Sequence, residues 1–247
     1  MPNDGYLDKS VHWKIRSGNI DFREPGFAEV ADAILEAGLA TEVGLRIGSG
    51  KEADVYCCRD GPRLVAVKVY RWYRTAHRGG GPIKLESMGQ LAVREFELLT
   101  YAWQGGARVP RPIERVENMF SMQYLGTPEA PAPILQHVEL AQPETFLDLT
   151  LRGIESMAEA GIVHSDLSPF NILVHSEEPW FIDLAAGLRV DRLGASPWIQ
   201  LTRARESLDH GLAVLNRYFR RYRLEFDGKE VLERLSRQWD RFRVLES

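Results

Sequence analysis

Residues 161–187 read GIVHSDLSPFNILVHSEEPWFIDLAAG, and the fold turns on how this stretch is read. Two apolar, strand-prone runs, Asn171-Ile172-Leu173-Val174 and Trp180-Phe181-Ile182, flank a turn at His175–Pro179. The pattern predicts a short hairpin with polar side chains at its ends. Asp166, Asn171 and Asp183 would then converge on one edge. Two carboxylates and an amide oxygen are hard ligands or proton acceptors, the set that phosphoryl transfer with magnesium requires.

Spacing narrows the reading further. Asp166 precedes Asn171 by five residues, and His164 stands two before the acid. That is the H-x-D-x-x-x-x-N spacing of a protein-kinase catalytic loop. Asp183 follows Asn171 by twelve residues at the end of an apolar strand, where kinases carry their magnesium aspartate.

The composition suits such a domain. The 247 residues are 44% hydrophobic and 27% charged, enough to build a sizeable core as one large domain or two lobes. A formal net charge of −4 argues against general electrostatic binding of nucleic acid, although a local basic patch stays open. The two cysteines, Cys57 and Cys58, are adjacent, which suits neither a zinc site nor a disulfide scaffold and points to a reducing cytoplasm. No signal peptide and no run of eighteen apolar residues is read, so no membrane partner is expected.

Upstream, residues 1–24 read as a polar arm and Phe27–Leu39 as an amphipathic helix closed at Gly38. Strands follow at Val43–Ile47 and Val55–Cys58, joined by the glycine-rich turn Gly48-Ser49-Gly50-Lys51-Glu52-Ala53-Asp54. Glycines there let backbone N–H groups approach phosphate oxygens. The turn is not a Walker loop, because Glu52 stands where Ser or Thr is needed. In the third strand, Leu64–Tyr70, alternation puts Val65, Val67 and Val69 on one face and Ala66, Lys68 and Tyr70 on the other. Residues 71–88 read as a basic mobile loop. A helix over Gly89–Gln104 carries Glu95, placed to pair with Lys68 and orient it toward phosphate.

A fourth strand opens at Val109–Ile113 and a fifth covers Asn118–Tyr124, running into a connector at Leu125-Gly126-Thr127-Pro128. Backbone groups of Gln123 and Leu125 are candidates to pair with adenine, with Met122 lining the pocket. A helix from Pro143 to the stop at Gly161 carries Phe146, Leu149, Ile154 and Met157 on its buried stripe. Beyond Gly187 the chain reads as irregular, then as helices over Leu201–Tyr222 and Lys229–Phe242. The expected class is α+β: a two-lobed protein-kinase-like fold with an antiparallel N-lobe sheet plus helix and a truncated, mostly helical C-lobe. Residues 1–40 form the arm and helix; the kinase domain takes 41–247, with the N-lobe at about 41–124 and the C-lobe at about 125–247.

On these residues the chain resembles the RIO family of atypical protein serine/threonine kinases and ATPases, in the branch without an N-terminal winged helix. The matches are GSGKEADVY at 48–56, VAVKVY at 65–70, MQYLG at 122–126, APAPIL at 130–135, HSDLSPFN at 164–171 and FID at 181–183. Pro169 and Leu184-Ala185-Ala186 depart from the family's pattern.

The resemblance implies Asp166 as the catalytic acid, with Asn171 and Asp183 holding magnesium, or manganese in its place. It implies Lys68 with Glu95 orienting the phosphates of ATP, Ser49 and Lys51 touching the triphosphate, and Ile47, Val55, Met122, Gln123 and Leu125 around the nucleotide. It further implies autophosphorylation or phosphorylation of an unknown protein acceptor, an aspartyl-phosphate on Asp183 as an ATPase route, and a ribosomal or ribonucleoprotein assembly as partner. The competing readings are a small-molecule phosphotransferase of aminoglycoside-kinase type and a catalytically silent nucleotide-sensing scaffold.

Overall fold

The computed structural model describes residues 26–50, 52–71, 88–193 and 196–243. The expected N-terminal arm, the body of the loop expected over 71–88 and Lys51 lie outside them. The chain divides into two compact units, one of Met1–Phe96 with Pro112–Tyr124 and one of Glu97–Arg111 with Leu125–Ser247.

The first unit begins with helix α1 (Phe27–Glu36), whose Val30 and Ile34 are buried. It stops at Gly38, where φ is +71° and the Leu39 N–H reaches back to the Ile34 carbonyl, a left-handed cap that glycine adopts without strain. Strands β1 (Glu42–Ser49), β2 (Ala53–Asp60), β3 (Arg63–Tyr70), β4 (Pro112–Val116) and β5 (Met119–Gln123) form one antiparallel sheet in the order β1-β2-β3-β5-β4. Register places Tyr56 opposite Val67 and Cys58 opposite Val65, so these side chains share a face. That face packs on Val30, Ile34, Leu39 and Met119 as a single apolar cluster. Burial pushes the Cys58 thiol up to about 11, and both cysteines are free. The fourth strand starts at Pro112, three residues later than expected. Pro110 and Pro112 lack the N–H that a ladder needs, so pairing begins where a proline can stand as first residue.

Helix α2 (Met88–Gln104) contributes Leu91, Ala92, Glu95 and Phe96 to the first unit, and its second half belongs to the other. Phe96 lies on Phe120 with ring centroids 5.7 Å apart, covering the sheet face opposite α1.

The second unit is built on helices α3 (Pro143–Glu159), α4 (Pro197–Phe219) and α5 (Gly228–Arg243). Proline occupies the first turn of α3 as expected, and Phe146, Leu147, Ile154 and Met157 are buried. Leu149, read as part of that stripe, is only half-buried, and Leu147 takes its place. Strands β7 (Ile172–His175) and β8 (Glu178–Phe181) form the expected hairpin, with Val174 opposite Pro179. Its turn is tighter than expected, just Ser176 and Glu177, both at positive φ (53° and 61°), a twist that matches the flanking strands. APAPIL lies alongside: Val174 donates its N–H to the Pro133 carbonyl, and Ile134 bridges Leu173.

Three expectations need correction. Asn171 closes a 3-10 turn over Pro169–Asn171 and so precedes the strand it was expected to open. The stretch after Gly187 is not irregular throughout, since β9 (Leu188–Arg189) pairs with β6 (Ile162–Val163). Helix α4 starts at Pro197 instead of Leu201 and ends at Phe219, with Arg220–Tyr222 tightening into a 3-10 turn.

Candidate active site

In the first unit the site is assembled on the sheet face opposite α1. Val55 stands across from Lys68, which stands across from Phe120; Ala66 stands across from Met122. Val55, Lys68 and Met122 therefore share one face. Ile47 lies half-buried on β1, where the register shifts between Arg46 and Gly48. Gln123 pairs with Val65 at the end of β5.

Lys68 is only 8% exposed and its Nζ lies 2.8 Å from Glu95 Oε1 and 2.7 Å from Oε2. The Tyr70 hydroxyl donates to Oε2 of the same carboxylate. Sequence reading put Tyr70 on the Lys68 face but missed this bond. A buried ammonium held by a buried carboxylate is a fixed point charge at a strand centre, the kind of group that holds phosphate oxygens.

Ser49, expected to touch a triphosphate, receives a hydrogen bond from Arg71 at 3.1 Å. The same guanidinium spans Asp54, with Nη2 at 2.9 Å from Oδ1 and Nε at 3.3 Å from Oδ2. Arg71 was assigned to a loop by sequence, yet it ties down the arm of the glycine hairpin. The legible signal is a diagonal cross-strand pair: Asp54 faces Val69, two residues before Arg71.

The second unit ties Asp166, Asn171 and Ile182, the residue before Asp183, together through a closed set of hydrogen bonds. Asn171 Nδ2 donates to the Asp166 carbonyl at 2.7 Å and to Asp166 Oδ2 at 3.0 Å. Both partners are acceptors, so the amide nitrogen must face them and the amide oxygen is left for another cation or donor. The Asn171 carbonyl receives the Ile182 N–H at 3.0 Å. His164, buried, lies with Nε2 3.0 Å from the Ile182 carbonyl and receives the Asp166 N–H at Nδ1, 3.4 Å away.

Those partners settle the ring's state. An acceptor at Nε2 and a donor at Nδ1 select the neutral Nε2–H tautomer. Desolvation by burial lowers the His164 pKa, in agreement, against the opposing pull of the Ile182 carbonyl, Asp183 and Asp166. Asp183 itself adopts φ +63°, a left-handed conformation tolerated by aspartate, and Leu184 beside it is fully buried. Asp166 and Asp183 are exposed.

This donor set fits magnesium. The Asp183 carboxylate and the Asn171 amide oxygen are hard oxygens, and a magnesium site keeps few protein ligands, completing its octahedron with water and substrate phosphates. Among the described residues no three of His, Cys, Asp and Glu gather into a cage, as such an open site does not require.

A pocket of about 280 Å³ opens beside Asp166, lined by Ser165, Asp166, Leu167, Glu206, Ser207 and His210. Its α4 residues were missed by sequence reading. They are exposed or half-buried polar groups far along the chain, brought in because Gly211 presses α4 onto the loop. A Cβ there would stand 2.7 Å from Leu167 Cβ and 3.1 Å from its carbonyl oxygen, so only glycine allows the approach.

Residues 54–231, well over half of the chain, match the RIO domain. The chain belongs to the RIO domain family. It is 28% identical over 214 residues to the RIO-type serine/threonine-protein kinase Rio1 of Haloferax volcanii, covering 81% of this chain and 71% of that one. To the Rio1 kinase of Thermoplasma acidophilum it is 26% identical, covering 74% of this chain and all of its relative. The Rio2 kinase of Chaetomium thermophilum, solved as an ADP/Mg²⁺-phosphoaspartate complex, shares the fold. Its TM-score is 0.63 at 21% identity, with 91% of this chain and 74% of that one covered. The protein is thus a RIO-type kinase of α+β, protein-kinase-like fold, and that membership sets aside the aminoglycoside-kinase reading. Among the described residues no helix is long and apolar enough to cross a membrane.

Proposed function

We propose that this RIO-type kinase transfers the γ-phosphoryl group of ATP to a serine or threonine hydroxyl, with Asp166 as the catalytic residue. The observation that carries the reading is the fastening of Asn171 to Asp166. It fixes the Asp166 carboxylate as an acceptor for the incoming hydroxyl proton while turning the amide oxygen outward. Asn171 and Asp183 would hold magnesium, which when bound supplies positive charge against the phosphates. Lys68, oriented by Glu95, would hold phosphate oxygens. The Leu125 carbonyl is already taken by the Ala132 N–H at 2.9 Å, so the Leu125 N–H is the group it would offer to adenine, beside the Gln123 backbone and with Ile47, Val55 and Met122 as apolar walls. Ser49 would reach the triphosphate by exchanging its Arg71 bond; Lys51 is assigned beside it on sequence.

Incubation with labelled ATP and magnesium tests this. Acid-stable label on serine supports hydroxyl transfer, whereas hydroxylamine-labile label marks an acyl-phosphate and makes an ATPase cycle, through Asp183 in this reading, the principal route. Asp183→Asn is expected to lower turnover by orders of magnitude while the variant stays folded; near-normal ATP consumption by it would sink the assignment. A cytoplasmic setting and a ribonucleoprotein partner form part of the proposal, and sedimentation of the native protein with ribosomal particles in a cell extract tests the partner.

A further inference from the structure

The pocket beside Asp166 has a chemistry of its own. Its volume, about 280 Å³, falls just below the ~300–1,000 Å³ of small-molecule sites and suits one or two side chains better than a nucleotide. Two carboxylates line it, Asp166 from the loop and Glu206 from α4, with the hydroxyls of Ser165 and Ser207, the His210 ring and Leu167 between them. None of the ion pairs among the described residues involves Asp166 or Glu206. A concave site with two unneutralised carboxylates attracts cations and rejects acids. Its wall is also fixed in place, since Gly211 seats α4 directly on Leu167.

We infer that this pocket is the acceptor site and that Glu206 selects protein substrates whose phosphorylated serine has an arginine or lysine beside it. The inference rests on Asp166 being the catalytic residue. The acceptor hydroxyl enters at the Asp166 end, and the neighbouring cationic side chain lies at the Glu206 end, one helical turn from His210. An acidic neighbour would place a third carboxylate in the same cavity. The site therefore discriminates as much by repulsion as by attraction.

The test uses the full chain with magnesium, ATP and three serine peptides that differ only in having Arg, Ala or Glu next to the serine. The wild type is expected to prefer the Arg peptide over the Ala peptide by up to about fivefold in kcat/KM and to use the Glu peptide least, since Glu206 is exposed and one exposed charge pair is worth up to about 1 kcal/mol. Glu206→Gln should erase the preference and Glu206→Lys should invert it. Asp209→Lys, the same charge change on an exposed α4 residue outside the pocket, should keep the wild-type order. Equal use of the three peptides, use of none while ATP is still consumed, or a preference that survives Glu206→Lys would overturn the inference. Absence of ATP consumption with every peptide as well as without one would instead overturn the parent reading of the site.

Discussion

Breaking the Lys68–Glu95 pair gives the sharpest test of the first unit. Both side chains are nearly buried, 11% and 4% exposed, with Nζ within 2.7–2.8 Å of both carboxylate oxygens and the Tyr70 hydroxyl on the same acid. Glu95→Gln keeps the shape and removes the charge, leaving the ammonium buried against a neutral group. Removing one partner of such a pair costs about 3–5 kcal/mol, roughly a third of a typical domain's stability of ~5–15 kcal/mol. Lys68→Met should cost a similar amount by stranding the carboxylate. The double variant Lys68→Met/Glu95→Leu removes both charges together and takes the Glu95 acceptor from the Tyr70 hydroxyl, so it should lose about 1–3 kcal/mol, and adding Tyr70→Phe should recover most of that. Urea unfolding of these four variants and of Glu95→Leu alone, monitored by tryptophan fluorescence and far-UV circular dichroism, gives the cycle of Lys68→Met, Glu95→Leu and their double. Single variants within about 1 kcal/mol of wild type, or a double variant equal to the sum of the singles, would refute the claim that the pair is a buried, mutually dependent unit.

Asn171→Asp discriminates the two jobs of that side chain. A carboxylate is the better magnesium ligand, yet it cannot donate to Asp166, so loss of a hydrogen bond to a charged group, about 1.5–3 kcal/mol, should cut kcat about 10- to 150-fold; unchanged kcat in steady-state ATP consumption would show the donor is idle. Burial holds His164 neutral with its pKa lowered. Its contribution to stability is therefore present above the unfolded value of about 6.5 and is lost as pH falls below it, because the unfolded chain binds the proton first. Denaturation at pH 7.5 and pH 5.5 should show a steeper loss in wild type than in His164→Gln, and parallel losses would contradict the assignment. Gly211→Ala should destabilise by about 1–3 kcal/mol through overpacking on Leu167 and lower kcat more than the KM for ATP; a calorimetric melt unchanged from wild type would count against the close approach.

The parts of this molecule legible in its sequence are those where local pattern and tertiary role agree. Alternation along Val65–Tyr70 sorted the α1 face from the Lys68 face because β3 is paired on both sides and packed on both faces. The start of α4 was missed for the opposite reason. Trp198 and Ile199 are 68% and 55% exposed, so the apolar residues of the first turn do not follow the buried stripe that reveals Leu208, Leu212 and Leu215. Strand β9 is two residues long, too short for any period to register. Glu206, Ser207 and His210 carry no motif, and only the packing of Gly211 on Leu167 brings them to Asp166. The left-handed backbone of Asp183 is likewise a tertiary outcome: its sequence neighbours Ile182 and Leu184 favour extended chain, and the residue is held there by what surrounds it.

The closed hydrogen-bond set explains why the H-x-D-x-x-x-x-N spacing and the later aspartate belong together. His164 is not placed to exchange protons with a substrate, since it is buried and both ring nitrogens are spent on backbone groups, at Ile182 and at Asp166. Its use is positional. One ring nitrogen fixes the backbone of the residue preceding Asp183, the other fixes the backbone of Asp166, and Asn171 closes the circuit by receiving the Ile182 N–H while donating to Asp166. These bonds constrain the backbone of Asp166 and of Ile182, the residue before Asp183, so the loop and the end of the hairpin that carry the two exposed acids are tied to one another. The geometry thus gives each acid its own place, Asp166 beside the Asn171 amide and Asp183 at the end of the hairpin, where preorganised groups can act without rearranging.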